Sequence, residues 1–195
     1  MNYTPLQFET NEERESYLRT RYTSILGELV VNKLIYDGFL KAPASTKYHS
    51  NYPGGLFDHS VNVAQTLHNL TLNNALKWSS SASDRSPWVI GLLHDLCKID
   101  QYRTTYIEDP VTHDVDIHIE WNNNPIIKGH GMKSVIYAQA IGARLSEEER
   151  ACIIYHMGAF TDAKEWGDYT QAVHRFPNVL WTHHADMIAS HIMEV

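Results

Sequence analysis

The chain has few cysteines, no excess of basic residues and no long hydrophobic run. Cys97 and Cys152 are the only cysteines among its 195 residues, which is too few for a disulfide framework and indicates a reducing compartment. The formal net charge is -7, whereas proteins that bind nucleic acid generally carry a basic stripe. The composition therefore argues against extended nucleic-acid binding, but it allows a small anionic substrate that metal ions hold.

Two further absences concern membranes. No segment is apolar for long enough to span a bilayer, and residues 1–5 do not resemble a signal peptide. We therefore expect a soluble cytoplasmic protein with no membrane partner. Because 43% of the residues are hydrophobic, we predict one domain over residues 1–195, with an N-terminal helix in residues 1–41 packed on it.

Periodicity and capping signals predict a mainly helical fold. Residues 10–13 form a capping box, and the apolar residues after them predict one long helix that ends at Gly38. A second helix is expected to begin near Leu56. Residues 79–86 are typical of an exposed loop, and the almost wholly apolar residues 88–97 predict a buried central helix.

The second half of the chain contains the predicted β-structure. Residues 100–125 alternate apolar and polar side chains and therefore predict a β-hairpin insertion. Further helices are expected after residues 129–131, after a second capping box at residues 146–149 and from Pro177, with a long loop at residues 158–176. The predicted fold class is a helical bundle with one small β-hairpin insertion.

Histidine is abundant, with twelve residues, and its placement predicts a metal site. His94 and Asp95 end an apolar run, and Lys98 follows one turn later. Neutral imidazole and carboxylate together suit borderline divalent metals, and a carboxylate can bridge two ions. The candidate metal ligands, each on or at the end of a predicted helix, are His59, His94, Asp95, His130, His156 and Asp186.

These candidates divide into two sets that share one carboxylate. The first set is His59, His94, Asp95 and Asp186, and the second is Asp95, His130 and His156. We therefore expect two divalent metal ions, and the pattern does not distinguish Mn, Fe, Co, Ni, Zn and Mg. His130 and His156 also fit substrate-contact or core roles if only one metal binds.

The chemistry of such a site favours phosphoester hydrolysis. Two neighbouring metals can activate a water as nucleophile and stabilise the leaving oxygen of a phosphoester. Lys98 can neutralise a phosphate oxygen. Asp95 and Lys98 are therefore the candidate catalytic residues.

Several short blocks carry a resemblance to a known family. The blocks are PASTKYH (43–49), GGLFDH (54–59), LHDLCK (93–98), GH (129–130), YHMG (155–158), KEWG (164–167) and HAD (184–186). In this order they resemble the HD-domain superfamily of metal-dependent phosphohydrolases, and they are most similar to the HD domain of bacterial 3'-to-5' exoribonucleases of the YhaM type. The resemblance covers the chain from about Pro43 to Met193. It implies the helical HD fold and a metal site, and it does not fix the substrate. Together with the ligand set and Lys98, it leads to the expectation of a metal-dependent phosphohydrolase that hydrolyses a phosphoester of a nucleotide or nucleic-acid end through a metal-bound hydroxide.

The chain also departs from those exoribonucleases. They carry an OB-fold ahead of the HD domain, whereas only a helix precedes it here, so the expected partner is a small phosphorylated substrate such as a nucleotide. Lys47 and His49 lie in a matched block and either bind substrate or structure their loop. Trp166 either stacks on a base or packs a long loop. With Lys98, these three are the candidate substrate-binding residues.

Two other functions fit the same ligands. HD-fold di-iron oxygenases that resemble myo-inositol oxygenase have the same order of ligands, and a non-catalytic module could bind a nucleotide with this site. The apolar residues of the first helix either form a dimer face or close the core, which leaves a homo-oligomer open.

Overall fold

Eight α-helices and one two-stranded sheet make up the described part of the chain. The structure is a computed structural model that describes residues 4–73, 77–78 and 84–195. The helices are α1 (Asn11–Leu26), α2 (Glu28–Tyr36), α3 (Gly55–Leu72), α4 (Ser86–Leu93), α5 (Gly131–Ala140), α6 (Glu147–Tyr155), α7 (Trp166–Arg175) and α8 (Asn178–His191). The strands β1 (Tyr102–Glu108) and β2 (Val115–Trp121) pair antiparallel. The predicted helical bundle with a small β-hairpin is confirmed. None of the helices in these ranges has the length and apolar composition that crossing a membrane requires.

The N-terminal segment forms two helices, whereas the sequence predicts one. Thr10 caps α1 as expected, because its side chain accepts a hydrogen bond from the Glu13 amide at 3.2 Å and the Glu13 carboxylate bonds back to the Thr10 amide. Gly27 then adopts a φ of 90°, which the helical path does not tolerate. The helix therefore ends there, and α2 begins at Glu28 with its apolar face in the core.

Helices α3 and α4 form the centre of the core. Every residue of α4 is buried, as its apolar sequence predicts. Gly91 of α4 lies so close to α3 that a Cβ atom there would stand 2.3 Å from Ala64 Cα, so only glycine permits this approach. The approach brings His59 of α3 and His94, which follows α4, to a ring-centroid distance of 5.3 Å.

The chain on either side of α4 differs from the prediction. The helix predicted over residues 88–97 ends at Leu93, and a short 3-10 helix, Leu96–Ile99, follows it. Most of the exposed loop predicted at residues 79–86 lies outside the described residues. Its last residue, Ser86, is buried and begins α4, and Pro87 occupies the first turn.

A buried ion pair joins the N-terminal helices to α3. The Arg14 side chain donates to both carboxylate oxygens of Asp58, at 2.7 and 2.8 Å, and the Tyr52 hydroxyl donates to Asp58 at 3.0 Å. Arg14 and Asp58 are 5% and 2% exposed. Asp58 precedes His59, so this pair fixes the part of α3 that carries a candidate ligand.

The region expected as a loop at residues 158–176 contains α7, so that expectation was wrong. Tyr169, Ala172, Val173 and Phe176 recur at helical spacing and pack against the core, while the other face is polar. The hairpin, in contrast, matches its prediction, with Tyr102 opposite Trp121 at its base.

Candidate metal centre

The six predicted ligands converge from five parts of the fold. They come from α3, the turn after α4, the residue before α5, the residue after α6, and α8. Three ligand groups, whose candidate atoms lie within 4.8 Å of one another, include all six of them. The residues brought together are His59, His94, Asp95, His130, His156 and Asp186.

The first group, here called the His59 cluster, consists of His59, His94 and Asp186. Nε2 of His59 lies 3.1 Å from Asp186 Oδ1. Asp95 borders this cluster, because its Oδ2 lies 3.4 Å from His94 Nε2 and 3.9 Å from His59 Nε2. Both histidines are fully buried.

Atoms of the other two groups form a second cluster, here called the His130 cluster, which consists of Asp95, His130 and His156. Asp95 Oδ1 lies 2.9 Å from His130 Nε2 and 3.4 Å from His156 Nε2. The two Nε2 atoms are 3.2 Å apart. Asp95 therefore contacts one cluster with each of its carboxylate oxygens, which is the arrangement that a bridging carboxylate requires.

Backbone contacts fix which nitrogen of each ring faces the centre. Nδ1 of His59 lies 2.8 Å from the Val195 carbonyl oxygen, Nδ1 of His94 lies 2.8 Å from that of Gly91, and Nδ1 of His156 lies 2.7 Å from that of Ile153. Because a carbonyl only accepts, each Nδ1 is the donor. In the neutral rings Nε2 therefore carries a lone pair, as a metal ligand requires.

These lone pairs face other acceptors, which is unfavourable without a cation between them. Nε2 of His59 and His94 and Oδ1 of Asp95 are buried without a hydrogen-bond partner among the described residues. Unpartnered buried polar atoms are costly and rare in native proteins. Ligand atoms about 2.1 Å from a metal lie about 3–3.5 Å apart. The separations of 3.1 Å between His59 Nε2 and Asp186 Oδ1 and of 3.4 Å between His94 Nε2 and Asp95 Oδ2 fall in this range. The cluster therefore fits a divalent metal ion.

Lys98 lies against the shared carboxylate. Its Nζ is 2.6 Å from Asp95 Oδ2 and its side chain is 11% exposed. Burial acts to raise the pKa of Asp95, but Lys98, His94 and His130 outweigh it and hold that pKa well below its ordinary value. Burial likewise acts to lower the pKa of Lys98, and the adjacent Asp95 raises it instead. Both groups are therefore charged at neutral pH.

Asp186 is also held as a carboxylate. Burial is the largest influence and acts to raise its pKa, but His59 and His94 together outweigh burial and lower that pKa. At His94 burial is the largest influence, and it lowers the pKa of the imidazole. The His59 cluster therefore offers an ionised oxygen ligand at Asp186 and a neutral nitrogen ligand at His94.

A cavity of about 340 Å³ adjoins both clusters. Its walls include Asp95, Lys98, His130 and Asp186, so the candidate ligands are accessible from it. His49 also lines the cavity, 4.9 Å from His59 between ring centroids, and its buried Nε2 has no hydrogen-bond partner among the described residues. Burial lowers the pKa of His49 to about 4, so this ring is neutral and can form a hydrogen bond to a substrate.

Two predicted substrate-binding residues lie elsewhere. Lys47 is exposed and is not part of the cavity wall. Trp166 is 52% exposed at the start of α7, where its Nε1 donates to the Thr161 carbonyl oxygen at 3.3 Å. Of the four predicted substrate-binding residues, the structure places Lys98 and His49 at the cavity.

Other residues at the site were missed by the sequence analysis. Gln101 and Trp121 belong to the cavity wall, and Cys97 Sγ lies 3.4 Å from His130 Nδ1. Trp121 could have been found, since it is an aromatic residue at the end of a predicted strand that follows the His94–Asp95 motif. The carbonyl partners of the histidines give no sequence signal, because any residue supplies a carbonyl.

Comparison of the chain with protein-family models, with curated proteins and with solved structures gives no match. The chemistry of the centre therefore follows from its side chains: imidazole ligands, ionised carboxylates and one buried lysine beside an accessible cavity.

Proposed function

We propose that the chain is a metal-dependent phosphohydrolase of the HD type, which hydrolyses a phosphoester of a nucleotide or of a nucleic-acid end. One observation carries the proposal. Buried, unpartnered ligand atoms of His59, His94 and Asp95 converge beside Lys98, a buried cation that lines a cavity. A site with both a metal-binding ligand set and a fixed cation suits an anionic substrate.

The ligand set accommodates two divalent ions. The His59 cluster would hold one and the His130 cluster the other, and Asp95 would bridge them because its two oxygens face different clusters. Bound divalent ions would supply an activated water and positive charge beside the phosphate oxygens.

The remaining work is done by residues of this chain. Lys98 is positioned to offset negative charge on the phosphate, because its ammonium group is held at the cavity wall by Asp95. His49 lines the same cavity beside His59 and is positioned to form a hydrogen bond to the substrate as a neutral ring. In the reaction, the bond between phosphorus and the leaving oxygen breaks, the oxygen of water becomes attached to phosphorus, and the leaving oxygen gains a proton.

Metal content is the decisive measurement. We expect elemental analysis of protein purified without chelator to give two metal ions per chain, and fewer in His94→Ala and in His130→Ala. His113→Ala is the matched control, because His113 is an exposed histidine at the hairpin tip and its side chain pairs with the exposed Glu108. The metal-loaded wild type should then hydrolyse members of a nucleotide panel that includes monoesters and diesters.

Each alternative outcome has a distinct meaning. Absence of bound metal under every loading condition would refute the proposal that the chain is a metal-dependent enzyme. Abundant iron with oxygen consumption, and without phosphoester hydrolysis, would replace it with an oxygenase. Metal binding with no turnover on the whole panel would leave a nucleotide-binding module.

A further inference from the structure

A second cavity, of about 450 Å³, adjoins the one at the metal centre. Gln101, Trp121 and His130 line both cavities, so the two are neighbours at the base of the hairpin. The second cavity, here called the hairpin compartment, is otherwise formed by Asn123, Lys128 and neighbouring residues of the loop between β2 and α5. None of the residues proposed to perform the reaction, apart from His130, belongs to it.

We propose that the hairpin compartment binds a second nucleotide unit, a planar base with its own phosphate, that is joined to the scissile phosphoester. This inference rests on the proposed function, because it assumes that the scissile group lies at the metal centre. The substrate would then be a dinucleotide or a short strand end, which spans both cavities, and not a mononucleotide.

The compartment is pre-formed by hydrogen bonds around Asp100. The Asn122 amide group donates to the Asp100 carbonyl oxygen at 2.6 Å, and the Ile126 amide donates to the Asp100 carboxylate at 3.2 Å. The same carboxylate forms an ion pair with the buried Lys133. The backbone N–H of Asn122 also donates to the Gln101 carbonyl oxygen at 2.9 Å. These hydrogen bonds hold the loop between β2 and α5 against the segment that carries Lys98. The compartment is therefore formed before a ligand binds.

Trp121 supplies a surface for a base. It stands at the junction of the two cavities, is 58% exposed, and packs edge-on against Tyr102 with ring centroids 5.0 Å apart. That contact fixes the indole while leaving much of it accessible. Stacking on a fixed aromatic side chain is the usual way in which proteins bind unpaired bases.

Lys128 supplies a charge for the phosphate of that unit. It is exposed in the compartment wall and forms no ion pair within the described ranges. It lies three residues before α5, whose N-terminus has no side-chain cap, so the partial positive charge of the helix end adds to that of the lysine. The nearby carboxylate of Asp100 does not neutralise Lys128, because it is paired with Lys133. The compartment therefore combines a stacking surface with one uncompensated cation.

The test compares two probes on the same variants. Calorimetry would measure the binding of a non-hydrolysable phosphorothioate diadenosine dinucleotide with a 5'-phosphate, and of adenosine monophosphate, to the metal-loaded full chain. We expect Trp121→Ala and Lys128→Ala each to weaken dinucleotide binding by about tenfold, and to change mononucleotide binding by less than about twofold. Trp121→Phe should recover most of the loss.

The controls are Trp166→Ala and Lys47→Ala, since both residues are exposed and lie outside both cavities. Lys128 packs no core, so its variant tests the inference even if removal of Trp121 disturbs the hairpin. Equal loss for both probes, or no loss with either variant, would overturn the inference. If the wild type hydrolyses phosphoesters but neither variant changes dinucleotide binding, the proposed function stands and this inference fails. Trp121-dependent dinucleotide binding without any hydrolysis would refute the proposed function instead.

Discussion

The His59 cluster and the His130 cluster contain the same ligand types, but the fold holds them differently. His59 and His94 are fully buried at the α3–α4 contact, and each donates from Nδ1 to a carbonyl at 2.8 Å. His130 precedes α5, its side chain is 27% exposed, and its Nδ1 contacts Cys97 Sγ at 3.4 Å. One cluster is thus set by buried helices and strong acceptors, and the other partly by a loop and a thiol.

The difference teaches that convergence of ligands does not imply equal affinity. Ligands that packing and outer hydrogen bonds hold in place bind a metal without further ordering, whereas a less constrained ring must be ordered when the metal binds. We therefore expect the His59 cluster to bind its ion more tightly than the His130 cluster. Asp95, which contacts both, should be the residue on which both depend.

The largest effect is expected for Asp95→Asn. The amide removes the bridging charge from both clusters and leaves the buried Lys98 without its counter-ion. We expect loss of both metal ions and a decrease of about 3–5 kcal/mol in the free energy of unfolding, measured by elemental analysis and urea denaturation. The double variant Asp95→Asn/Lys98→Met should recover stability but not metal. Retention of two ions in the single variant would show that Asp95 is no bridge.

A smaller effect, confined to one cluster, is expected for Arg14→Met. The substitution leaves Asp58 buried without its cation, immediately before His59. Removing one partner of a buried pair should cost about 3 kcal/mol and should weaken metal binding at the His59 cluster alone. Arg19→Met is the control, because Arg19 pairs with Glu15 at the surface and should contribute less than about 0.5 kcal/mol. Equal urea midpoints for both variants would contradict this anchoring role.

The sequence predicts the ligands better than it predicts what holds them. His94 and Asp95 can be predicted from the sequence because two adjacent ligand residues end an apolar run. The capping boxes at Thr10 and Ser146 both form as expected. The order of the remaining histidines and Asp186 was informative only through a family resemblance. That order does not reveal which carbonyl each ring contacts, since those contacts depend on tertiary packing.

The errors in the fold have a similar origin. The break at Gly27 was missed because a glycine within an apolar periodic segment does not by itself show a positive φ. Helix α7 was missed because its polar residues suggest a loop, although Tyr169, Ala172 and Val173 follow helical spacing. The hairpin was predicted, but the place of Trp121 in the cavity wall was not, although its position at the end of a strand after the His94–Asp95 motif offered a signal.

Cys97→Ala should separate the two clusters without removing a ligand. Burial raises the pKa of the Cys97 thiol to about 12, so it contacts His130 as a neutral group. Loss of this outer partner should weaken metal binding at the His130 cluster by about 10–100-fold. Metal binding at the His59 cluster should not change, and metal titration measures both affinities. Cys152→Ala is the control, since it removes an equally buried thiol that belongs neither to a ligand group nor to the cavity wall among the described residues.

Cobalt spectroscopy distinguishes a positioning role of Cys97 from direct ligation. Asp95, Cys97 and His130 are also close enough to hold an ion together. A thiolate-to-cobalt charge-transfer band in the cobalt-loaded wild type, absent from Cys97→Ala, would make Cys97 a ligand and would contradict the positioning role. We expect no such band, because Nε2 of His130, and not Nδ1, faces Asp95 and His156.

The smallest effect is expected for Lys47→Ala, which tests whether the loop before α3 contributes to substrate binding. Lys47 belongs to the loop before α3, but its side chain is exposed and lies outside the cavity that His49 lines. Its removal should change metal content not at all, and KM for a hydrolysed nucleotide by less than about twofold, because exposed charges at a distance are screened by salt. Lys98→Ala, measured in parallel, should lower kcat by about 100-fold or more, since its cation lies at the cavity wall. A large rise in KM for Lys47→Ala alone would show that the loop before α3 contacts the substrate.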